Sequence, residues 1–384
     1  MADTGLPRYG QARACDKVPS QRAAGTISTS MKFSSIQCFR GLAANAVLLA
    51  HLTSIEAKYG HGIALLPDWT RALGPAGVNF FFVISGFVIA YIAHDSTPTR
   101  FALSRLLRIF PAYWFYTSIV LAVFVVAPAA VNSSYAHPPS ILKSYLLWPQ
   151  DVGPLLAVGW TLIHEMYFYL VIALLLALRI PIVPALLAWS AVIAVAIGAG
   201  HPDTPLLGVV FSPLTFLFIA GAMVGTAIRS GFNRFGRASL WVGSALLPAG
   251  LVVHTLLGAP QDAGSTILLL GAAFVPIVYG ATALELTRRL PWPTWLHKAG
   301  DASYSTYLSH VLVVSALGHA FVRLPWHNVV TEIVFLIAGL VAANLVGLVS
   351  YRLLERPALS LLRRQAPARS EAPERAPVPA AGAR

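Results

Sequence analysis

Runs of about twenty apolar residues, separated by short polar segments, recur along nearly the whole chain. A membrane-crossing helix needs a run of about that length. The pattern predicts ten spans, at roughly 35–54, 76–94, 108–129, 157–178, 180–199, 206–228, 238–257, 264–286, 302–321 and 328–354. The first is the least apolar, since it carries Gln37, Arg40, Asn45 and His51. The fourth and fifth are joined tightly at Arg179–Pro181. Residues 138–150 form an apolar run too short to span, and Lys143, Tyr145 and Trp148 suit an interfacial helix. The expected fold is all-α, a polytopic membrane protein of about ten transmembrane helices. Its membrane domain covers 34–357, between an N-terminal tail (1–33) and an Ala/Pro/Arg-rich C-terminal tail (358–384), both expected to be disordered.

Composition supports the membrane reading. Of 384 residues, 57% are hydrophobic and 11% are charged, against about 25% charged in a soluble domain. So few charges cannot cover a water-facing surface, which excludes a soluble enzyme, a nucleic-acid module and a disordered protein. A net charge of +12 would fit a nucleic-acid partner, but its distribution says otherwise. With ten spans, 22 of the 27 Lys and Arg share a side with the termini, and Lys58, Arg71, Lys143 and Arg323 lie opposite. Arg40 is inside the first span. The asymmetry predicts that both termini are cytoplasmic. The two cysteines, Cys15 and Cys38, make neither a disulfide framework nor a metal site on their own. The first thirty residues hold no apolar core of a cleavable signal peptide. Richness in Arg, Ala, Gly and Pro hints at a GC-rich bacterial genome, so the expected location is a bacterial inner membrane.

Ionisable residues inside spans are costly and therefore candidate functional residues. Arg40 and His51 are eleven residues apart, about 1100° around a helix, so they share one face about 16 Å apart along the axis. Taken singly, Arg40 reads as a snorkelling residue and His51 as an interfacial one; together they favour function. A basic loop joins the second and third spans and ends in Arg105-Leu-Leu-Arg108-Ile-Phe-Pro111. Its arginines project from one face of a helix start. They serve either topology or the binding of a polyanion, for which the planar guanidinium is suited. The fourth span opens Trp160-Thr161-Leu162-Ile163-His164-Glu165-Met166-Tyr167-Phe168-Tyr169, with Trp160 and Glu165 at a depth compatible with His51. Phe168 stands where a zinc protease needs its second histidine, so that reading fails. In the ninth span Ser303, Tyr307 and His310 share a face, as interhelical polar glue or as part of a site. In the second span, Gly86 permits close helix approach and the aromatic run Phe80–Phe82 packs. Glu355-Arg356-Pro357 reads as helix termination.

As a set, these motifs resemble the acyltransferase 3 family of integral-membrane O-acyltransferases. The resemblance rests on Arg40…His51, GVNFFFVISGF at 77–87, Arg105-x-x-Arg108, WTLIHEMYFY at 160–169, SYSTYLSH at 303–310, and Glu355-Arg-Pro, in order over roughly 34–357. It implies a cytoplasmic acyl-CoA donor, acetyl by default, and an extracytoplasmic glycan or other hydroxyl-bearing acceptor. It maps the family's essential histidine to His51 and its arginines to Arg40, Arg105 and Arg108. One departure is Asn79, where the family often has Asp, which puts a charged role there in doubt.

The resulting expectation is transfer across the membrane. Acyl-CoA phosphates dock at Arg105, Arg108 and Arg40, and the pantetheine arm reaches along the first span. His51 then acts as general base or as a covalent acyl carrier. Glu165 orients His51 in the manner of a triad carboxylate. Trp160, Tyr307, His310 and Asn79 are candidates for holding the acceptor, with His310 also a second base. None of the spacings demands a metal, and no permanently bound cofactor is expected. The competing reading is a proton-coupled transporter or glycan exporter; no repeat between halves supports it. The Arg40…His51 spacing followed by Arg105-x-x-Arg108 argues against another class of membrane O-acyltransferase.

Overall fold

A computed structural model of the chain describes residues 33–364, apart from 61, 129–130, 133–134, 201–203, 257, 259–262 and 289. The expected N-terminal tail lies almost wholly outside these residues, as does the expected C-terminal tail beyond 364. The described residues contain no strand. Their helices are α1 (Ser34–Tyr59), α2 (Leu73–Ala93), α3 (Pro98–Val126), α4 (Ile141–Leu146) and α5 (Trp160–Ala177). Then come α6 (Ile182–Gly198), α7 (Pro205–Val210), α8 (Thr215–Arg229), α9 (Gly236–Leu256) and α10 (Ala263–Thr266). The last five are α11 (Phe274–Thr287), α12 (Thr294–Asp301), α13 (Ser303–Phe321), α14 (Val329–Ser350) and α15 (Arg356–Arg364).

Eight helical stretches among the described residues are long and apolar enough to cross a membrane. They correspond to eight of the ten expected spans. The expected fifth span is the 17-residue α6, at the short end of the spanning range. The expected ninth span is the 19-residue α13, and all eight residues from Ser303 to His310 are buried. Its polar half faces protein, so it lacks the apolarity that lipid demands. By contrast, Val195, Trp241, Leu256 and Val330 expose large apolar side chains. On a chain this apolar, such a coat is a lipid-facing surface, and the protein is a multi-pass membrane protein.

Three local features differ from the sequence expectation. Arg105 and Arg108 lie on α3 itself rather than in a basic loop, because α3 begins at Pro98. Thr97 supplies the cap, its hydroxyl accepting from the Arg100 N–H (3.4 Å), and Pro98 has no N–H to leave unsatisfied. Glu355-Arg356-Pro357 does not end the last helix. Tyr351–Glu355 forms a π turn and the helix continues as α15 to Arg364, into the segment expected as tail. The π turn shifts the hydrogen-bond register beside Pro357, where an N–H is missing. Residues 138–150 contribute the single-turn helix α4, whose first turn Ser140 caps through the Lys143 N–H at 3.3 Å.

Two devices hold the bundle around α1 and α2. No side chain of its own segment caps α1. The Glu285 carboxylate of α11 does so, accepting from the Ser34 and Ser35 N–H groups (2.6 and 3.0 Å) and from the Ser35 hydroxyl (2.6 Å). An anion at the helix N-terminus suits both the orphan donors and the dipole. At the α2–α8 crossing, a Cβ on Gly86 would overlap the Phe218 carbonyl oxygen. Small residues allow this backbone approach, as the sequence suggested for Gly86.

Candidate active site

Two cavities open inside the bundle. The first, about 270 Å³, is lined by Arg40 of α1, Arg105 and Arg108 of α3, and Glu165 and Tyr169 of α5, with Ser85, Tyr304 and Tyr307. The second, about 600 Å³, is lined by His51, Ser54, Arg71, Asn79, Tyr135, Trp160 and Tyr307 among others. Val78 and Tyr307 line both. The structure thus brings the three predicted arginines together in one cavity and places the predicted histidine in the other. Both cavities are served by α1, as the shared face of Arg40 and His51 requires.

The first cavity is cationic. The ion pairs among the described residues are Arg71–Asp68, Arg229–Asp95 and His94–Asp95, and none uses Arg40, Arg105 or Arg108. Arg105 donates to the Ser104 hydroxyl (3.1 Å), and its guanidinium stands 5.9 Å from the ring centres of Phe101 and Tyr169. The Glu165 carboxylate accepts from the Ser85 hydroxyl (2.8 Å) and from the Tyr169 hydroxyl one helical turn on. Glu355 is buried and accepts from Ser305 (3.1 Å). Three guanidiniums against Glu165 in the lining and the nearby buried Glu355 still leave excess positive charge in a partly dry site, where it acts strongly.

The second cavity presents one imidazole in a defined state. His51 Nδ1 lies 2.9 Å from the Val47 carbonyl one turn back. A carbonyl only accepts, so Nδ1 carries the proton and Nε2 keeps its lone pair. Behind it sits His310, fully buried, whose own Nδ1 donates to the Tyr307 carbonyl at 2.7 Å. That leaves His310 Nε2 as an acceptor, 3.4 Å from His51 Nδ1. The rings meet edge-on, with centres 4.9 Å apart.

This arrangement corrects the expected role of Glu165. Its hydrogen bonds go to Ser85 and Tyr169, and it lines the arginine cavity rather than the histidine one. The group within reach of His51 is His310. The i, i+7 face of α13 had suggested a polar cluster, but helix-face spacing within α13 carries no information about its partner on α1. His310 is fully buried and lines neither cavity.

The remaining candidates divide. Trp160 is 41% exposed, lines the second cavity, and stands edge-on to His164 at 5.9 Å. Tyr307 is buried between the cavities, its hydroxyl bonded to Thr161 (2.8 Å) and to the Val158 carbonyl (3.2 Å). Asn79 is buried in the cavity wall and donates to the Thr266 carbonyl (3.1 Å), where α10 passes into a π turn. An amide can donate there and an ionised Asp could not, which accounts physically for Asn at this position. Ser85, Tyr169 and Tyr304, whose hydroxyl donates to the Ile109 carbonyl (2.7 Å), were not singled out from sequence. The i, i+4 spacing of Glu165 and Tyr169 was the signal for one of them.

The chain is matched over residues 33–352 by the family model described as "Acyltransferase domain", that of the acyltransferase 3 family. The protein belongs to this family and is a membrane acyltransferase. It is similar to the exopolysaccharide production protein ExoZ of Rhizobium meliloti (strain 1021), at 33% identity over 314 residues, covering 76% of this chain and 90% of that one. It is 26% identical over 379 residues to acyltransferase MdmB of Streptomyces mycarofaciens (88% and 94% covered). It is 25% identical over 326 residues to nodulation protein 10 of Rhizobium leguminosarum bv. viciae (74% and 82% covered). No solved structure matches it.

Proposed function

We propose that the protein moves an acyl group, acetyl by default, from cytoplasmic acyl-CoA to a hydroxyl of an extracytoplasmic carbohydrate. It does so within a bacterial inner membrane, through about ten spans with both termini inside. The observation that carries the reading is the pair of cavities: three arginines that outnumber their nearby carboxylates in one, a histidine with a free lone pair in the other, and a common wall at Val78 and Tyr307. The carbohydrate acceptor is supported by the similarity to a protein named for exopolysaccharide production.

The arginine cavity suits phosphate, which forked guanidinium donors bind with charge-assisted bonds. At about 270 Å³ it accommodates the narrow pantetheine arm and a phosphate, while the nucleotide stays at its mouth. The run of α1 from Arg40 to His51, about 16 Å, carries the thioester toward the second cavity. There the acceptor hydroxyl attacks the thioester carbonyl. His51 Nε2 takes the hydroxyl proton, the carbon–sulfur bond breaks, and the proton passes to the departing thiolate. The products are the acyl ester and free CoA. The cationic imidazole formed on the way keeps Nδ1–H directed at Val47 and His310, so its charge is stabilised without ring rotation.

The test is CoA release by the purified full chain given acetyl-CoA and a glycan extract, with mass spectrometry of the glycan. An O-acetyl increment with wild type and none with His51→Ala is expected. Equal transfer by His51→Ala would remove the histidine from the chemistry. Glycan movement across vesicles without any CoA release would favour a transporter.

A further inference from the structure

Accepting the histidine cavity as the acceptor site, its charge says what kind of acceptor it holds. We propose that this cavity selects an acceptor bearing an anionic group, a carboxylate or a phosphate ester, held by Arg71. Among the lining residues, His51 and Arg71 are the nitrogen bases and no carboxylate is present. A guanidinium can donate to a neutral sugar hydroxyl, but it binds a carboxylate or phosphate more strongly, and the one carboxylate paired with Arg71, Asp68, lies outside the lining.

Arg71 is placed by construction. It is the sole Lys or Arg between Lys58 and Arg100, so it is not one of a scatter of surface cations. It sits on the 3-10 turn Asp68–Ala72, directly before α2. Its neighbours Thr70 and Ala72 are buried. The Thr70 hydroxyl donates to the Pro67 carbonyl (2.7 Å) and meets the Thr53 hydroxyl of α1 at 2.6 Å. Thr53 is two residues from His51. The backbone segments that carry the arginine and the histidine are therefore tied together by a buried contact between Thr70 and Thr53. This is the rigidity that aligning an anion relative to a reacting hydroxyl requires.

Asp68 does not saturate Arg71. It accepts a single bond from Nε at 3.3 Å, and its side chain is 93% exposed. Such a pair is worth little in water. The two terminal nitrogens of Arg71 are left for a forked contact with carboxylate or phosphate. Trp160, in the same lining, is an aromatic side chain against which the sugar that carries the anion can pack.

The experiment measures binding without the donor. The full chain in lipid nanodiscs is titrated by calorimetry with cellobiose, with its uronic acid analogue (glucuronosyl-glucose), and with glucose 1-phosphate. At least one anionic probe is expected to bind roughly ten- to hundredfold more tightly than cellobiose. Arg71→Gln should erase that preference, Arg71→Lys should keep part of it, and Asp68→Asn should strengthen it. Preference for the uronic acid alone names a carboxylate, and for the phosphate alone a phosphate ester. Equal affinity for all three, no binding of any, or a preference surviving in Arg71→Gln with an unchanged elution profile would overturn the proposal. Because acyl-CoA is absent, failure of the transfer chemistry leaves this result standing. Conversely, transfer with no anion preference removes Arg71 and spares His51.

Discussion

The two cavities are built from opposite kinds of chemistry. One gathers fixed positive charge from two helices, α1 and α3, and holds its single carboxylate with hydroxyls. The other offers a neutral ring whose proton position is set by a backbone carbonyl and a second ring. The first can bind but has little to exchange; the second can exchange a proton but has only one cation with which to bind. The division implies that donor affinity and reactivity are separable by mutation, and each variant below is aimed at that separation.

The largest effect is expected for His51→Ala. General-base catalysis contributes about 10²–10⁴-fold, so transfer should fall at least that far while acetyl-CoA affinity stays near wild type. Loss of donor binding in the same variant would show that the cavities are not independent. The readouts are CoA release and equilibrium dialysis with labelled acetyl-CoA.

Next comes Arg105→Ala or Arg108→Ala. A hydrogen bond to a charged group is worth about 1.5–3 kcal/mol, or about ten- to more than a hundredfold. The expectation is a rise of that size in KM for acetyl-CoA with kcat much less affected. A fall in kcat at unchanged KM would place these arginines at the reaction rather than at the donor. His310→Phe should act more mildly still, removing one partner of His51 Nδ1 while leaving the Val47 carbonyl. A roughly fivefold loss in kcat at unchanged KM is expected, given about 1 kcal/mol for a hydrogen bond. An unchanged kcat would mean that His310 only fills space.

How much of this is legible in the sequence follows from the range of each signal. Arg40 and His51 shared a face by arithmetic within one helix, and both open on cavities served by α1. Arg105 and Arg108 were found by motif, although the helix carrying them starts at the capped Pro98, a boundary that hydropathy alone does not mark. Trp160 and Tyr307 were placed near the site and do line the histidine cavity. What sequence could not supply was pairing across helices. Glu165 was expected at a depth compatible with His51, yet it lines the cavity of Arg40 and its partners are Ser85 and Tyr169, while His310, from a helix far along the chain, reaches His51. Depth is a one-dimensional coordinate, and contact needs the rotation of both helices as well.

The smallest effect separates the cavities most finely. Tyr307 belongs to both, and its hydroxyl ties Thr161 and the Val158 carbonyl at the start of α5. Tyr307→Phe keeps the ring that meets Phe81 edge-on, with centres 5.7 Å apart, and removes only the hydroxyl. Two hydrogen bonds at about 0.5–1.5 kcal/mol each bound the change in stability, so a small drop in melting temperature is expected. If the hydroxyl merely braces α5, transfer to acceptor should change less than that and water should not gain access to the thioester. If it instead seals the passage between the cavities, the variant should release CoA without acceptor, as acyl-CoA hydrolysis, at several times the wild-type rate. Comparing CoA release with and without acceptor in Tyr307→Phe therefore shows whether the wall between binding and chemistry is only structural or also keeps water from the thioester.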